Sequence, residues 1–344
     1  MSNKPTILVT GGAGYIGSHT ILSLLEASLY HVISADNFSN SGPETFGRIE
    51  EVSRTSVKNY PVDLRDPEKT RRIFSENPGI TAIIHFAAMK SVPESVEKPE
   101  FYRDNNNNSL AVILSCMKEF KVRDLIFSSS CSVYGNVTDQ PVDENTPLNK
   151  AESPYGETKQ ECEEMCKQFC LNEKEFRIVA LRYFNPVGAH PSGKIGEIQE
   201  RFLTNLVPIL CKVASGVRKE VVIHGADYPT RDGTCVRDYV HVCDIARAHV
   251  LAFEWLTNGN VKGSFNIFNL GFGNGITVKE AIDTFENANS LRLNKSTGSR
   301  RAGDVAVIYS KANKAKSVLG WEPRFSLDEM MRTAWIWEKH HTSQ

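Results

Sequence analysis

Apolar positions along the chain follow two rhythms. Short runs rich in β-branched residues, such as TILVTG, HVISAD, NYPVDL, TAIIHFAA, DLIFSSS and FRIVALRYF, alternate with longer stretches in which apolar residues recur at helical spacing. The first kind reads as strand and the second as amphipathic helix. The pattern predicts TILVTG as a strand, a helix from Tyr15 to about Leu29, then HVISAD, a polar loop, NYPVDL, a helix near Pro67–Glu76 and TAIIHFAA. It continues with a helix from about Phe101 to Phe120, DLIFSSS, a helix beginning near Pro154, and FRIVALRYF. Strands separated by helices indicate βαβ units and a parallel sheet.

After Asn185 the rhythm breaks. NPVGAHPSGKIG is a Gly/Pro loop, followed by a helix from about Phe202 to Ala214, a short VVIHG strand and the loop ADYPTRDGT. VRDYVHVCDIARAHVLAFEWL reads as an extended stretch entering a helix, FNIFNLG as another strand, and the chain from about Thr277 as mixed helices and loops. No internal repeat is visible. The Asn run DNNNNSL falls where a helix should be forming.

Composition narrows the function classes. The 344 residues carry a formal charge of −1, which argues against a nucleic-acid footprint or a polybasic membrane patch. No apolar run approaches the roughly 20 residues of a membrane span. The N-terminus enters a strand almost at once and lacks the regions of a signal peptide, which predicts a cytoplasmic protein. The eight cysteines show no zinc-type spacing, so no metal site is expected. Cys162, Cys166 and Cys170 share one helix face, as an apolar stripe in a core or subunit contact.

Two motifs carry chemistry. In TGGAGYIGS, Gly12, Gly14 and Gly17 satisfy GxGxxG, with Gly11 before them. Glycines let the backbone turn tightly and approach a pyrophosphate, and the helix behind offers free N–H groups. A strand precedes this turn, a helix follows it, and Asp36 closes the second strand. A carboxylate there accepts hydrogen bonds from ribose hydroxyls and repels a 2′-phosphate, which favours NAD over NADP. Asp63, read as closing the third strand, faces the adenine or caps a helix. Phe86, Ala87 and Ala88 close the fourth strand with residues that let a dinucleotide lie near the sheet edge. Lys90 beyond them reaches cofactor hydroxyls or solvent.

The second motif is SPYGETK. Pro154 suits a helix start, and Tyr155 and Lys159 then lie one turn apart on the same face. A phenol with a reference pKa of about 10 is a poor base at neutral pH. A neighbouring ammonium and an oxidised nicotinamide are expected to lower it. Ser130, at the end of the fifth strand, is placed to bond the same substrate hydroxyl.

TGGAGYIGSH, SSSCSVYG, SPYGETK, RYFNPVGAHPSG and GTCVRDYVHVCDIARAH resemble the extended short-chain dehydrogenase/reductase family, and within it the UDP-sugar 4-epimerases. The likeness runs from Thr6 to LDEMMRTAW. It implies an α/β fold: a Rossmann-like doubly wound parallel sheet with a smaller C-terminal α/β substrate lobe. Residues 1–185 would bind NAD, with 238–270 returning to that domain, and 186–237 with 271–344 would bind the UDP-sugar.

By the same resemblance the NAD site comprises Gly11, Gly14, Tyr15, Ile16, Gly17, Asp36, Asn37, Asn40, Ser41, Asp63, Leu64, Phe86, Ala87, Lys90, Asn105, Ser128, Tyr155, Lys159 and Tyr183. Ser130, Tyr155 and Lys159 match the catalytic set. Ser130, Phe184, Asn185, Asn205, Leu206, Val222, His224, Arg237, Tyr239, Arg301, Asp304 and Ile308 match positions around the UDP-sugar. Arginine forks suit phosphate oxygens, so Arg237 and Arg301 are expected clamps, with an intramolecular salt bridge as the alternative. Met89, Thr204 and His224 depart from the family's pattern. Ile308 stands where residue size sets the sugar pocket.

The implied reaction is reversible NAD-dependent epimerisation at C4 of a UDP-hexose through a transient 4-keto sugar. UDP-N-acetylhexosamine, UDP-pentose or UDP-uronate substrates remain alternatives, as do a dehydratase or a non-catalytic NAD sensor. Cys131 and Ser132 offer no carboxylate for elimination, which disfavours the dehydratase. The family also implies a homodimer through a four-helix bundle, for which Leu110, Ile113, Leu114 and Met117 fit either the dimer face or a sheet-packing face. The chain's end past Met330 predicts no appended mutarotase domain.

Overall fold

The computed structural model describes residues 4–198, 203–258, 261, 264–301 and 304–342. Strands and helices alternate through the first half: β1 (Thr6–Thr10), α1 (Tyr15–Glu26), β2 (His31–Ala35), α2 (Glu44–Ser53), β3 (Lys58–Tyr60), α3 (Pro67–Glu76) and β4 (Ile80–His85). Then come α4 (Val92–Glu97), α5 (Pro99–Phe120), β5 (Asp124–Ser130), α6 (Pro154–Asn172) and β6 (Arg177–Tyr183). The second half holds β7 (Asn185–Val187), α7 (Leu206–Ala214), β8 (Val221–His224), β9 (Val236–Arg237), β10 (Tyr239–His241), α8 (Val242–Thr257) and β11 (Phe265–Leu270). It ends with β12 (Ile276–Thr277), α9 (Val278–Asn289), β13 (Lys295–Gly298), β14 (Val307–Ile308) and α10 (Leu327–Thr342).

Seven parallel strands form one sheet in the order β11-β6-β5-β4-β1-β2-β3. The chain runs outward from β1 to β3, then restarts on the other side of β1 with β4. That reversal opens a crevice at the carboxyl ends of β1 and β4, where such sheets bind ligands. Both faces of the central strands are buried, which explains their continuous apolar runs. Ile7, Val9, Ile84 and Ile126 pack towards α1 and α8, whereas Leu8, Ile83, Leu125 and Phe127 pack towards α5 and α6.

A separate apolar cluster joins Val207, Leu210, Phe285, Met330 and Met331 from α7, α9 and α10. A small cluster of Val133, Tyr134, Val142, Phe184 and Ile308 lies between this region and the sheet. The chain re-enters the main sheet late, through β11 beside β6.

Several expectations change. The polar stretch after HVISAD contains α2, which buries only Thr45 and Ile49 and so carries a weak apolar signature. Helix α1 stops at Glu26, short of Leu29, and α5 begins at Pro99, behind the separate short helix α4. Strand β3 ends at Tyr60, so Asp63 lies in the loop beyond it; the residue capping α3 is Asp66, whose side chain accepts from Lys69 N. Strand β4 ends at His85, just before Phe86. The described part of the helix expected from Phe202 begins at Leu206, and Phe202 itself lies outside the described residues. Leu110, Ile113, Leu114 and Met117 are buried within this chain against the sheet, which takes them out of any dimer face. Cys162, Cys166 and Cys170 are buried in the same core, as an apolar stripe.

Candidate active site

The glycine turn follows β1 directly. Gly11 has φ +71°, and a Cβ there would lie 2.7 Å from Ala87 N. Only glycine takes that conformation without strain while letting the loop after β4 approach so closely. At Gly17 a Cβ would lie 2.2 Å from the Gly11 carbonyl oxygen, so glycine lets α1 start against the turn. The α1 N-terminus therefore points its free N–H groups into the crevice.

Asp36 stands one residue beyond β2. Its carboxylate accepts hydrogen bonds from Ala13 N at 3.0 Å and Phe38 N at 2.8 Å, with Ser41 Oγ at 3.4 Å. Burial pushes this acid up, and the Phe38, Ala13 and Ser41 bonds pull it back. Oδ1 accepts from both Phe38 N and Ser41 Oγ, whereas Oδ2 accepts only from Ala13 N and keeps a lone-pair direction for a further donor.

All residues expected around the dinucleotide line one solvent-open cleft of about 1430 Å³, from Gly11, Gly14, Tyr15, Ile16 and Gly17 through Asp36, Asn37, Asn40 and Ser41 to Asp63 and Leu64. Its lining continues with Phe86, Ala87, Lys90, Asn105, Ser128, Tyr155, Lys159 and Tyr183, together with Ser130, Phe184 and Asn205 from the expected substrate side. The cradle that two glycines keep open, the helix N-terminus and the Asp36 carboxylate fit a pyrophosphate and a ribose.

At the other end of the cleft, Ser153 caps α6 by accepting from Gly156 N, with Pro154 in the first turn. This fixes Tyr155 in the first turn and Lys159 one turn on. Lys159 Nζ donates to the Ser128 carbonyl at 2.8 Å and lies 5.9 Å from the centroid of the Tyr155 ring. Burial pushes the Tyr155 phenol up to about 12, opposed by a hydrogen bond with Ser130. Burial also lowers the Lys159 ammonium below its ordinary value. The expectation of a phenol already lowered by its ammonium neighbour is therefore corrected: the protein alone raises it, because desolvation of the phenolate outweighs the local hydrogen bond. Tyr183 donates to or accepts from His249 Nε2 at 3.0 Å, and His249 stacks obliquely on Phe86 with ring centroids 4.6 Å apart.

The substrate positions divide. Asn185, Leu206, Val222, His224, Arg237, Tyr239, Arg301, Asp304 and Ile308 do not line that cleft. Arg237, Arg301, Asp304 and Ile308 gather beside it: β14 pairs with β9 so that Ile308 lies opposite Arg237, and Ile308 packs in one cluster with Phe184. Asp304 bridges the two expected clamps, 3.6 Å from Arg237 Nη2 and 3.1 Å from Arg301 Nε. The salt-bridge alternative is thus the arrangement present. Tyr239 is buried in β10 opposite Asn185, whose Oδ1 is buried without a partner among the described residues. Leu206 opens α7, half-exposed Val222 lies in β8, and His224 Nδ1 lies 3.3 Å from Ser299 O.

Four polar groups that shape the site were not singled out from the sequence. Asn106, inside the Asn run, accepts from Met89 N at 2.8 Å and bonds Met89 O and Thr158 Oγ1, tying α5 to the loop after β4 and to α6. Glu197 accepts from Lys90 Nζ at 2.9 Å and Asn205 Nδ2 at 3.3 Å, linking the two walls of the cleft. Asp238, between Arg237 and Tyr239, accepts from Phe272 N, Gly273 N and both donors of Ser310. Glu163 lies one turn beyond Lys159. A charge within VRDY and an amide inside a helix were the available signals for two of them. Among the described residues no group of three or more His, Cys, Asp or Glu side chains is placed to hold a metal, and no helix is long and apolar enough to cross a membrane.

Residues 8–334 match the family model described as GDP-mannose 4,6 dehydratase. The chain is 43% identical over 343 residues to UDP-glucose 4-epimerase of Drosophila melanogaster, covering 98% of this chain and 97% of that one. Among solved structures it is similar to UDP-glucose 4-epimerase from Bifidobacterium longum in complex with NAD+ and UDP, with TM-score 0.93, 42% identity, and 98% and 99% of the two chains covered. It is also similar to the Stenotrophomonas maltophila enzyme with bound NAD and formylated UDP-arabinopyranose, with TM-score 0.94, 39% identity and the same coverage.

Proposed function

The chain belongs to the UDP-glucose 4-epimerases of the extended short-chain dehydrogenase/reductase family, and from that premise we propose that Ser130, Tyr155 and Lys159 carry its chemistry. The reaction is the reversible, NAD-dependent inversion of a UDP-hexose at C4 through a transient 4-keto sugar. The C4–H of a hexose is not acidic, so inversion by simple deprotonation is implausible and oxidation provides the route. NAD+, when bound, supplies a hydride acceptor and a positive charge beside the reacting carbon.

Tyr155 takes the proton from the 4-hydroxyl and later returns it. A phenol that burial holds at about 12 needs cationic company to act at neutral pH, and Lys159 one turn along provides part of it. Ser130 lowers the Tyr155 phenol against that burial and lines the same cleft, which places its hydroxyl, donating to Ser132 Oγ at 3.1 Å, to orient the same substrate oxygen. Gly11, Gly17 and the α1 N-terminus hold the pyrophosphate of the cofactor, and Asp36 its ribose. Arg237 and Arg301 hold the diphosphate of the substrate, which leaves the flat keto sugar free to turn over on its tether.

The observation that carries this reading is convergence: the phenol, the ammonium and the serine lie on one wall of the cleft that the glycine turn and Asp36 close at the other end. Elimination is disfavoured because Cys131, whose thiol burial pushes up to about 12, and Ser132 follow Ser130. The division into an NAD-binding body (1–185 with 238–270) and a UDP-sugar lobe (186–237 with 271–344) is supported by β11 pairing with β6 and by the separate cluster of α7, α9 and α10. The cytoplasm as compartment and a homodimer through α5 and α6 rest on the family resemblance.

The test is turnover of the purified chain with each UDP-sugar, the epimers being resolved by chromatography. Interconversion of UDP-glucose and UDP-galactose without growth of reduced-cofactor absorbance is expected. Tyr155→Phe should lower turnover by about a thousandfold with UDP binding retained; near-wild-type turnover rejects the assignment.

A further inference from the structure

We propose that Glu163 is a positioning residue for this reaction, acting through a buried anchor with Ser129 and Arg182; the inference rests on the catalytic reading of Tyr155 and Lys159. These three α6 residues follow one another at i, i+4 and i+8, so they stand along one helix face about 6 Å apart. Tyr155 and Lys159 face the cleft, and Glu163 sits behind them, 5% exposed.

The Glu163 carboxylate accepts from Ser129 Oγ at 2.5 Å, Arg182 Nε at 2.8 Å and Arg182 Nη2 at 2.6 Å. Each partner adjoins a residue of the site. Ser129 stands on β5 between Ser128, whose carbonyl accepts from Lys159, and Ser130. Arg182 stands on β6 beside Tyr183, which lines the cleft. One carboxylate thus ties α6 to the strand that presents Ser130 and to the strand that presents Tyr183.

Stability does not require this device. A buried ion pair pays heavily in desolvation, and well-packed apolar side chains often replace one at no loss. The neighbouring Cys162, Cys166 and Cys170 already pack α6 on the sheet without charge. Apolar contact tolerates slide and rotation, whereas a bidentate fork fixes both. The placement of Tyr155 against Ser130 is where a shift of about 1 Å costs up to a hundredfold in rate.

The pair also sets the local field. Other titratable groups facing Lys159 or Tyr155 are His85 on β4, Tyr183 on β6, Cys131 after β5, and Cys162 and Cys166 on α6. Burial keeps all of them neutral, lowering His85 to about 3 and raising Cys131 and Cys162 to about 12. Glu163 cancels the Arg182 guanidinium, which lies 4.8 Å over the Tyr134 ring. With Glu163 neutral, the Lys159 ammonium would lose the carboxylate that raises it and face an uncompensated cation, which lowers its pKa further.

The experiment uses the full, NAD-loaded chain. Glu163→Gln is expected to lower kcat for UDP-galactose by about ten- to a hundredfold with KM within about threefold, and to move the high-pH limb of the kcat–pH profile, which loss of the Lys159 proton sets, to lower pH. Glu163→Gln/Arg182→Gln should return that limb to its wild-type position with kcat still low. Ser129→Ala, which leaves no charge unpaired, should lower kcat severalfold with the limbs in place. A merely structural pair would reduce Tm while leaving kcat per loaded enzyme and the pH profile unchanged, and that result overturns the proposal. Should Glu163→Gln not fold, wild-type kcat in both the double variant and Ser129→Ala overturns it equally. An inactive Tyr155→Phe beside a normal Glu163→Gln defeats this inference alone, whereas an active Tyr155→Phe defeats the reading beneath it.

Discussion

The two ends of the active-site region are built by different means. The dinucleotide end is made from the carboxyl ends of adjacent parallel strands, so the register of β1, β2, β4 and β5 places each loop. There the Asp36 carboxylate is held by backbone donors, with Oδ2 open to one more. The proposed UDP end is assembled from the two-residue strands β9 and β14, from β8 and from a loop far along the chain. There the cations Arg237 and Arg301 are already committed to Asp304. A preformed cradle tolerates almost no change in shape, while a self-neutralised cluster must exchange one anionic partner for another.

The largest effect that follows is at Gly17. An added methyl would stand 2.2 Å from a backbone oxygen, and no rotamer relieves such a clash. Gly17→Ala should drive α1 away from the turn, leave the purified protein with little NAD after acid release, and reduce turnover by orders of magnitude. Full NAD content in that variant would show that the cradle is not rigid, and the contrast between the two ends would collapse.

The UDP end should respond more gently and on another readout. Hydrogen bonds to charged groups contribute about 1.5–3 kcal/mol, so Arg237→Ala should weaken UDP binding by about ten- to a hundredfold in titration calorimetry, with NAD content unchanged. Asp304→Ala frees both arginines for the diphosphate, so UDP should bind as tightly as to wild type or tighter. Equal losses for the two variants would mean that the three side chains act as one structural unit, not as competitors for phosphate.

The same contrast explains what could be read from the sequence. The dinucleotide end was legible because its residues sit in contiguous stretches at strand ends: TGGAGYIG after β1, Asp36 after β2, FAA after β4 and SSS at the end of β5. Helix α2 escaped because its exposed face is polar and it carries Gly47 in its interior. Helix α4 carried its signal in SVPE, a serine cap with a proline in the first turn, though the segment is short. Asp63 and Asp66 compete for the same cap in PVDLRD, and pattern alone does not choose between them. The UDP end was reachable only through resemblance, since Arg237 and Asp304 lie far apart in sequence and meet through the pairing of β9 with β14. Burial, which lifts Tyr155 and lowers Lys159, depends on the whole fold and leaves no local mark.

The smallest effect sharpens the comparison further, because it removes a helix cap at each of two sites. Ser153 caps α6 through Gly156 N, and Thr277 caps α9 in a reciprocal box with Glu280. Losing either cap costs about 1 kcal/mol, a fall in Tm of roughly 2 °C for a chain of this size, and Thr277→Ala should fall further because it also loses the bond its hydroxyl donates to Asp232 Oδ2. The two should differ in rate. Ser153 stands two residues before Tyr155, so Ser153→Ala frays the turn that aims the phenol and should lower kcat severalfold. Thr277 begins a helix that packs beneath the UDP end, so Thr277→Ala should leave kcat as it is and at most raise KM. An unchanged kcat in Thr277→Ala, despite its larger loss of stability, beside a lowered kcat in Ser153→Ala would locate rigidity at the catalytic wall; a lowered kcat in both would place it equally in the two halves.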